Sequence, residues 1–463
     1  MQYISTRGQA PKIGFCDVLL AGLARDGGLY VPETWPKLSG SVKNTAVSSY
    51  AQKAASIMSP FVGAEIDQQV FEKLCVDAYS TFRHPEVAPL VEIGPNEYLL
   101  ELFHGPTLAF KDVALQLVGK LFDHVLMQRG QRVMIVGATS GDTGGAAFDG
   151  VASCRNVDIV MLYPNNRVSD VQRRQMTTLT SPNVHAVAVD GTFDDCQDLV
   201  KAMFNDQKFR DANQLSAVNS INWVRVMAQV VYYVTAIEKL GRSAVFSVPT
   251  GNFGNVLAGW IAEQMGAQIE GFVVASNTND ILTRFFESKK MTANEVVPTL
   301  SPSMDIQVSS NFERLLFETN NRDGAETAKQ LTDFRATGKL EVAASVYQKW
   351  FEGVFVGRRC HDEQTLATMQ DVYKQSAMLI DPHTAVGLSA ARQSAGVDYP
   401  KDMPMITLAT AHPAKFPDAV RRATGQTPKL PEHLADLMSR PERSVSLPND
   451  LGAVQAFVAS CRK

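Results

Sequence analysis

The chain lacks the sequence features of several large protein classes. It has only six cysteines in 463 residues, without a CxxC pair or metal-like clustering, and its eight histidines include no HExxH motif. The cysteine pattern predicts reduced thiols in the cytoplasm, and no metal site is expected. The formal net charge is −4, so no basic excess indicates binding to nucleic acid or to an anionic membrane.

Long apolar runs are also missing. The N-terminal residues 1–15 contain no apolar core of signal-peptide length. The most apolar stretch, Val224–Ile237, is interrupted by Arg225 and Gln229 and is too short to span a bilayer. The sequence therefore predicts a soluble protein without a membrane partner.

The pattern of apolar residues changes near residue 97. Residues 1–96 contain two amphipathic segments, Thr45–Met58 and Asp67–Phe82, which predict a helical N-terminal domain. From residue 97 to 463, extended apolar runs alternate with helical segments, which predicts an α/β region with a mostly parallel sheet and helices on both faces. Residues 291–339 are less regular, and we expect loops there with one helix near Asn311–Glu318.

Two glycine-rich loops each follow a predicted strand and precede a helix. Pro249–Asn255 contains two glycines and two asparagines, and its N–H groups together with the helix start could hold a phosphate without a lysine. Thr139–Gly145 offers hydroxyl and N–H groups that suit a carboxylate. For either loop, an ordinary strand-to-helix turn is the alternative, with Asp142 as a helix cap.

The established phosphate and nucleophile fingerprints fail. The chain has no GxGxxG motif, and Gly119-Lys120 is not followed by serine or threonine, so neither a dinucleotide fold nor a P-loop is indicated. A GxSxG elbow is excluded because Ala138 occupies the first glycine position.

Lys111 lies in the first turn of a predicted helix that ends before Gly130. A cation there opposes the positive end of the helix dipole, which weakens its charged form and favours the nucleophilic amine. An isolated lysine is more often a solvated surface residue. A lysine nucleophile, a lysine-free phosphate cradle and a second anion loop nevertheless together predict a pyridoxal 5′-phosphate site.

Motifs along nearly the whole chain resemble those of the threonine synthase family of fold-type-II pyridoxal-phosphate enzymes. They are DGGLYVPE (26–33), HGPTLAFKDVALQ (104–116), GATSGDTGGAA (137–147), YPNNRVSDVQRRQM (163–176), VNSINWVRVMAQ (218–229), PTGNFGN (249–255), MDIQVSSNFER (304–314), DPHTAVG (381–387) and TAHPAKF (410–416).

The resemblance implies a tryptophan synthase β-like fold, with twisted parallel sheets and two subdomains around a cofactor cleft behind the N-terminal domain. It also implies the cofactor contacts. Lys111 matches the Schiff-base lysine, and Thr410 matches the partner of the pyridine nitrogen. Asp142 stands where related enzymes that make cysteine usually have asparagine, facing the phenolic oxygen. The residues matching the cofactor-phosphate loop are Gly251, Asn252, Phe253, Gly254 and Asn255.

The resemblance further implies where the substrate binds. The carboxylate loop is matched by Thr139, Ser140, Gly141, Asp142 and Thr143. A segment near the substrate phosphate is matched by Asn219, Ser220, Asn222 and Arg225, for which helix capping and a surface charge are the alternative. Arg167 is a weaker phosphate candidate. For His383 and His412 a structural hydrogen-bonding role is expected.

The implied reaction converts O-phospho-L-homoserine and water into L-threonine and phosphate. A sibling reaction on the same scaffold would release 2-oxobutyrate, as a phospholyase or a threonine dehydratase does. A binding protein that has kept the fold would be expected to lack the lysine or the phosphate loop, and both are present. We expect a monomer or a small homo-oligomer.

Overall fold

The computed structural model describes residues 1–38 and 48–462, and its first unit combines a small sheet with three helices. Strands β1 (Gln2–Ser5), β2 (Ile13–Gly14) and β3 (Tyr30–Pro32) pair antiparallel in the order β2-β1-β3. Helix α1 (Phe15–Ala21) follows β2, and helices α2 (Tyr50–Val62) and α3 (Gln68–Tyr79) follow β3. The helices predicted for this unit are present, and the sheet is an addition that the sequence pattern did not predict.

Capping side chains explain where the two longer helices of this unit begin. Ser49 and Gln52 form a reciprocal capping box at α2, and the Asp67 carboxylate accepts N–H bonds at the start of α3. The predicted start of the first helix, Thr45, lies outside the described residues. The second helix ends three residues earlier than predicted, at Tyr79.

The remainder of the chain alternates strands and helices, as predicted. Its elements are β4 (Leu90–Gly94), β5 (Glu97–Glu101), α4 (Lys111–Arg129), β6 (Val133–Ala138), α5 (Asp142–Val151), β7 (Val157–Pro164), α6 (Asp170–Thr177), β8 (Val184–Asp190), α7 (Phe193–Asn205), α8 (Gln207–Asn213), β9 (Leu215–Ser216), α9 (Trp223–Leu240), β10 (Ala244–Pro249), α10 (Gly254–Met265), β11 (Ile269–Ser276), α11 (Ile281–Ser288), β12 (Lys290–Thr292), α12 (Phe312–Thr319), α13 (Gly324–Thr337), β13 (Lys339–Glu341), α14 (Ala344–Trp350), β14 (Phe355–Arg359), α15 (Asp362–Ser376), α16 (Pro382–Ser394), β15 (Met405–Ala409), α17 (Pro417–Thr424), β16 (Val445–Pro448) and α18 (Leu451–Ser460).

Two larger sheets organise these elements. One has six strands in the order β14-β11-β10-β15-β5-β4, and all of its pairings are parallel except the β4–β5 hairpin. The other has five strands in the order β16-β8-β7-β6-β9, and all of its pairings are parallel. Strands β12 and β13 form a separate antiparallel pair. The predicted, mostly parallel α/β architecture is confirmed.

Some details differ from the sequence expectations. Residues 324–337 form helix α13, where loops were expected, because Asp323 caps a segment of good helix formers despite its polar composition. The β4–β5 hairpin joins residues 90–94 to the six-stranded sheet, so strand pairing crosses residue 96, where the sequence pattern suggested a boundary.

The fold brings the candidate residues to the carboxyl ends of parallel strands. Lys111 follows β5, the Thr139–Gly145 loop follows β6, the 251–255 loop follows β10, and Thr410 follows β15. Strands β10, β15 and β5 are direct neighbours in one sheet. Since ligands of such sheets bind beyond the carboxyl ends of the strands, this edge is where a site is expected. Across residues 1–38 and 48–462, none of the helices combines the length and apolar character needed to cross a bilayer.

Candidate active site

Lys111 is the first residue of helix α4, as the sequence predicted, and its side chain is buried. The segment before it is fixed against the strand that carries Thr410. The Leu102 N–H donates to the Ala409 carbonyl at 3.0 Å, and the Phe110 N–H donates to the Thr410 carbonyl at 2.9 Å. Backbone pairing therefore sets Lys111 and Thr410 beside each other.

The Asp142 carboxylate lies between two lysine side chains. Lys111 Nζ is 3.3 Å from Asp142 Oδ2, and Lys415 Nζ is 2.8 Å from Asp142 Oδ1. Gln172 Nε2 donates to Oδ1 at 2.9 Å, and Ser303 Oγ donates to Oδ2 at 3.2 Å. Every lone-pair direction of this buried carboxylate is thus used by a donor, which fixes its orientation.

Burial is the main cause of the lowered pKa of Lys111, and it is opposed by the nearby Asp142 carboxylate. The charges of Lys415 and Arg225 lower this pKa further. For Asp142, burial alone would raise the pKa, but the ammonium groups of Lys111 and Lys415 outweigh it and hold the pKa well below its usual value. The site therefore combines a lysine of lowered pKa with a carboxylate whose ionised form is favoured.

The Thr139 side chain fixes the conformation of the loop between β6 and α5. Thr139 Oγ1 accepts from the N–H groups of Gly141 at 2.9 Å and Gly144 at 3.0 Å. Gly141 has φ +141°, and a Cβ there would lie 2.5 Å from Gln172 Oε1, so only glycine fits. Ser140 is exposed, and Thr143 is half-buried in the first turn of α5. The N–H groups of Ser140, Asp142 and Thr143 have no acceptor among the described residues, so they can bind a carboxylate.

The loop between β10 and α10 forms a second set of free donors. Phe253 has φ +61°, a left-handed conformation, and α10 begins at Gly254. The first bond of the helix runs from the Leu257 N–H to the Phe253 carbonyl. The N–H groups of residues 252–256 find no acceptor in the described part of the chain. Donors alone at a helix N-terminus suit a phosphate.

Asn255 adds a buried donor to this loop. Its Oδ1 accepts from the hydroxyls of Tyr232 and Tyr233, which fixes the amide, and its Nδ2 is buried without a partner. A buried donor without an acceptor is costly, so this atom indicates a ligand acceptor. Gly251 is equally constrained, because a Cβ there would lie 2.6 Å from the Ser303 carbonyl oxygen. These residues fit the 5′-phosphate of pyridoxal phosphate.

Thr410 directly follows β15 and is buried. Its carbonyl is used by Phe110, while its hydroxyl has no hydrogen-bond partner among the described residues. An unused hydroxyl on the segment that pairs with the residue before Lys111 suits a neutral hydrogen bond to a pyridine nitrogen, the contact predicted for this position.

Arg225 lies in the first turn of α9 and is buried. Its Nη1 donates to the Val218 carbonyl at 3.0 Å, and its Nε is buried without a partner. No carboxylate of the described residues forms an ion pair with it. Burial lowers the pKa of Arg225 to about 10, so the group is still a cation at neutral pH. A buried cation without a protein counter-charge indicates an anionic ligand.

The loop before α9 carries the other predicted phosphate residues. The Ser220 carbonyl accepts from Asn311 Nδ2 at 3.0 Å, and Asn222 caps α9 through its side chain. Asn219 is exposed, and its carbonyl accepts from the Asn222 N–H. The structure brings Asn219 and Ser220 to the entrance of the helix that carries Arg225. Asn222 has the capping role that the sequence offered as its alternative.

Three weaker candidates lie apart from these donor sets. Arg167 is exposed in the turn after β7 and contacts none of the donor residues described above. His383 Nδ1 lies 2.9 Å from Asp381 Oδ1, and its Nε2 accepts from the Ser303 N–H at 3.3 Å. His412 Nδ1 accepts from the Ala414 N–H, and burial lowers the pKa of His412 to about 4. Both histidines make the structural hydrogen bonds that the sequence led us to expect.

Sequence reasoning missed Lys415 and Ser303, both of which contact Asp142. Lys415 lies in a short 3₁₀ turn after β15 and is fully buried. Its only sequence signal is a lysine between Ala414 and Phe416, two apolar neighbours that are themselves buried. Ser303 lies in the stretch that was expected to be surface loop, and no local pattern distinguishes it.

Comparisons with known proteins agree with this geometry. Three family models match consecutive parts of the chain: "Threonine synthase N terminus" over residues 2–79, "Pyridoxal-phosphate dependent enzyme" over 85–344, and "Threonine synthase, C-terminal" over 384–458. The threonine synthase of Pseudomonas aeruginosa is 53% identical over 99% of this chain and 98% of its own length.

Solved structures show the same likeness in three dimensions. The pyridoxal-phosphate-bound threonine synthase of Brucella melitensis superposes with a TM-score of 0.96, at 49% identity, and each chain covers 100% of the other. The threonine synthase of yeast superposes with a TM-score of 0.93, at 38% identity, covering 99% of this chain and 98% of that one.

The cofactor follows from the same findings. The matched family model, the Brucella structure and the donors around Lys111 all indicate pyridoxal phosphate. Together with the full-length identity to the Pseudomonas enzyme, they make this chain a member of the threonine synthase family.

Proposed function

We propose that the site around Lys111 converts O-phospho-L-homoserine and water into L-threonine and phosphate. One observation carries the proposal: a buried lysine of lowered pKa lies among three separate sets of unused anion donors. The cofactor brings one phosphate, and the substrate brings one carboxylate and one phosphate. The number and chemistry of the donor sets therefore match the number of anions that the reaction requires.

We assign the cofactor contacts as follows. Lys111 would hold the cofactor covalently, the N–H groups of 252–256 with Asn255 Nδ2 would bind its phosphate, and Thr410 would bond its ring nitrogen. Asp142 would face the phenolic oxygen. Pyridoxal phosphate, when bound, withdraws electrons from an amino-acid substrate and so makes the protons at its Cα and Cβ removable.

Lys111 would move the protons. Its lowered pKa leaves a larger fraction of neutral amine at neutral pH, which is the form that accepts a proton. The Nζ atom would take one proton from Cα and one from Cβ, and it would return one at Cγ and one at Cα. Phosphate leaves from Cγ and water adds at Cβ, so substrate and water together balance threonine and phosphate.

Arg225 would bind the substrate phosphate, with Asn219 and Ser220 beside it. Negative charge grows on the phosphate as the Cγ–O bond breaks, and a fixed guanidinium stabilises that charge. The Ser140–Thr143 loop would bind the substrate carboxylate through its free N–H groups. Since the two anchors lie on different elements, α9 and α5, they would fix the substrate at both ends.

The test follows three products at once. The purified protein loaded with cofactor is mixed with O-phospho-L-homoserine, and phosphate, threonine and 2-oxobutyrate are measured over time. Equal release of phosphate and threonine supports the proposal. Release of phosphate with 2-oxobutyrate would assign the chain to the phospholyase reaction instead. If no phosphate is released, the assignment of O-phospho-L-homoserine as the substrate is overturned.

A lysine variant serves as the control. Lys111→Ala should lose the absorbance band of the lysine-bound cofactor and lower the rate by about 10²–10⁴-fold or more, as expected when a positioned acid–base group is removed. An unchanged spectrum in this variant would overturn the assignment of Lys111.

We also propose the organisation and location of the protein. Residues 1–96 form the N-terminal unit, and residues 97–463 form the catalytic region, whose two larger sheets correspond to two subdomains around the cofactor. All six cysteines are free and buried, which supports a cytoplasmic location. Assembly as a monomer or a small homo-oligomer would be measured by sedimentation.

A further inference from the structure

Lys415 is the most completely buried charged group that contacts the proposed catalytic residues. Its side chain is 0% exposed, and its Nζ donates to Asp142 Oδ1 at 2.8 Å and to the Thr107 carbonyl at 2.9 Å. Removing an ammonium group from water is costly and is offset only by close opposite charge and hydrogen bonds. Here the carboxylate partner of Lys415 is also the partner of Lys111.

The charge on Lys111 changes during the proposed reaction. The Asp142 carboxylate remains buried throughout, so it continues to need a nearby cation. Lys111 Nζ is a free ammonium group only in some states, because it would hold the cofactor in one state and accept protons as a neutral amine in another. Whenever Lys111 is not a free ammonium group, its ion pair with Asp142, which is 3.3 Å long in this structure, would weaken or disappear. A buried carboxylate that loses its cation strongly destabilises the folded state.

We infer that Lys415 is a positioning residue whose fixed ammonium charge keeps Asp142 ionised beside the cofactor while Lys111 changes its own charge. The inference rests on the proposed function, in which Lys111 holds the cofactor and moves protons. It also explains how an aspartate can occupy a position where related enzymes that make cysteine usually have asparagine. The ion pair of Asp142 with Lys415 has no net charge, as a neutral asparagine has none.

Lys415 acts on Lys111 as well. The two ammonium groups share one carboxylate, so each charge disfavours the other, and Lys415 contributes to the lowered pKa of Lys111. Other groups face this cluster. His383 on α16 acts on Asp142, Arg225 on α9 acts on Lys111, and Asp112 on α4 is acted on by Lys415. None of these groups hydrogen-bonds Asp142 among the described residues, so Lys415 is the close cation that remains when Lys111 is neutral.

The test compares four full-length proteins: wild type, Lys415→Met, Asp142→Asn and the double variant. Each is loaded with cofactor, and the absorbance band of the lysine-bound cofactor is titrated against pH. Lys415→Met removes a positive charge close to the Lys111 nitrogen, so its titration midpoint should move to higher pH by about one unit or more. A midpoint equal to that of wild type would overturn the inference.

Thermal unfolding of the same four proteins gives a second readout. Lys415→Met should lower Tm, because it leaves the Asp142 carboxylate with fewer cations, and adding Asp142→Asn should restore most of that loss. Additive losses would show that Lys415 only fills space. If Lys415→Met does not fold, folding of the double variant supports the inference, and failure of both overturns it.

Gln175→Met is the matched control. Gln175 is buried and its Nε2 donates to the Thr107 carbonyl at 3.0 Å, the same acceptor that Lys415 uses, but the side chain is uncharged. It should lower Tm without moving the titration midpoint, and an equal midpoint shift would contradict a charge effect. If wild type itself shows no band of lysine-bound cofactor, the proposed function fails rather than this inference.

Discussion

At the scale of single residues, Arg225 offers a clean separation of stability from function. Its guanidinium is buried and has no carboxylate partner among the described residues, so the protein gains little from its charge. We expect Arg225→Met to leave the free energy of unfolding nearly unchanged or raised. The same variant should lower kcat/KM for O-phospho-L-homoserine by about 10–150-fold, the value of a lost hydrogen bond to a charged group.

Phosphate protection provides the measurement for Arg225. Inorganic phosphate should raise the Tm of wild type more than that of Arg225→Met, because binding to the folded state alone stabilises it. Arg167→Met is the control, since this arginine is exposed, and its kcat/KM should remain that of wild type. Equal losses in the two variants would contradict the assignment of Arg225.

Asp112, next to Lys111, predicts a pH dependence of stability. Burial raises the pKa of Asp112 to about 7, partly opposed by hydrogen bonds from Thr107. The folded-state pKa exceeds the ordinary value of 3.8, so the folded state binds more protons than the unfolded state between these values. Stability from this carboxyl is therefore present below about pH 4 and is lost as the pH rises through about 7.

Asp112→Asn should remove that decline. The neutral amide can keep both contacts, accepting from the Thr107 N–H and donating to its hydroxyl. The free energy of unfolding is measured by urea unfolding at several pH values between 4 and 7. Its decline with pH should be less steep in Asp112→Asn than in wild type, by up to about 1.4 kcal/mol per pH unit. Parallel curves for the two proteins would show that this carboxyl does not titrate in that range.

Local sequence patterns indicate the proposed ligand-binding residues more readily than the residues that support them. The 251–255 loop and Asp142 lie beside glycines that follow strands, and Lys111 begins a helix, so each has a local pattern that indicates an anion site or a nucleophile. Lys415 contacts Asp142 from a position 273 residues later in the chain, and nothing near it in sequence signals that partner. The pKa of Lys111 likewise depends on burial by distant elements, so the helix start alone could not explain it.

At the scale of elements, glycine substitutions at the two ends of α10 test whether the loop before this helix binds the cofactor. A Cβ at Gly251 would lie 2.6 Å from the Ser303 carbonyl, so Gly251→Ala must displace the loop that presents the free N–H groups. We expect the Kd for pyridoxal phosphate to rise about 10–150-fold, as for the loss of a hydrogen bond to a charged ligand. Equilibrium titration of the cofactor-free full chain measures this.

Gly266→Ala is the control at the other end of the same helix. Gly266 has φ +108°, and a Cβ there would meet no atom within 4 Å, so alanine strains the backbone without touching a neighbour. It should cost about 1 kcal/mol of stability and leave the Kd unchanged. A similar loss of cofactor affinity in both variants would show that general destabilisation, rather than the loop, is responsible.

Strands and helices were predicted where the apolar pattern is strong. Short strands that are defined mainly by pairing with a neighbouring strand were missed. Strands β7, β8 and β10 are rich in apolar residues and largely buried, and they lie in the region that the sequence pattern predicted to alternate strands with helices. Strand β9 has two residues, and β16 is largely exposed at a sheet edge, so each is defined by its pairing with a neighbour. Short edge strands of this kind carry little sequence signal.

At the scale of the whole molecule, the buried Arg314 is one of the links between the N-terminal unit and the loop at residues 219–221. Arg314 on α12 donates to the Tyr30 carbonyl at 3.0 Å, to the Ile221 carbonyl at 2.7 Å and to Asn311 Oδ1. Tyr30 belongs to β3 of the N-terminal sheet, and Ile221 follows Ser220. The position of the proposed phosphate residues therefore depends in part on contacts with the N-terminal unit.

Arg314→Met should expose this dependence. Three buried oxygens lose a donor, which should lower the free energy of unfolding by about 2–4 kcal/mol. The loop at residues 219–221 loses a donor, so KM for O-phospho-L-homoserine should rise. The 251–255 loop keeps the bond from the Asn311 N–H to the Asn252 carbonyl, which does not involve the guanidinium, so the absorbance of the bound cofactor should stay that of wild type. Steady-state kinetics and spectra of the same preparation measure both effects.

Glu313→Gln separates loop support from domain docking. Glu313 accepts from Thr6 Oγ1 at 2.6 Å and pairs with Arg7 at 3.0 Å, so it holds the N-terminal unit without touching the 219–221 loop. It should weaken docking, seen as faster proteolysis of the N-terminal unit, and leave KM unchanged. If both variants raise KM equally, docking of the whole unit positions the loop. If only Arg314→Met does, the single guanidinium transmits the effect, as its contacts predict.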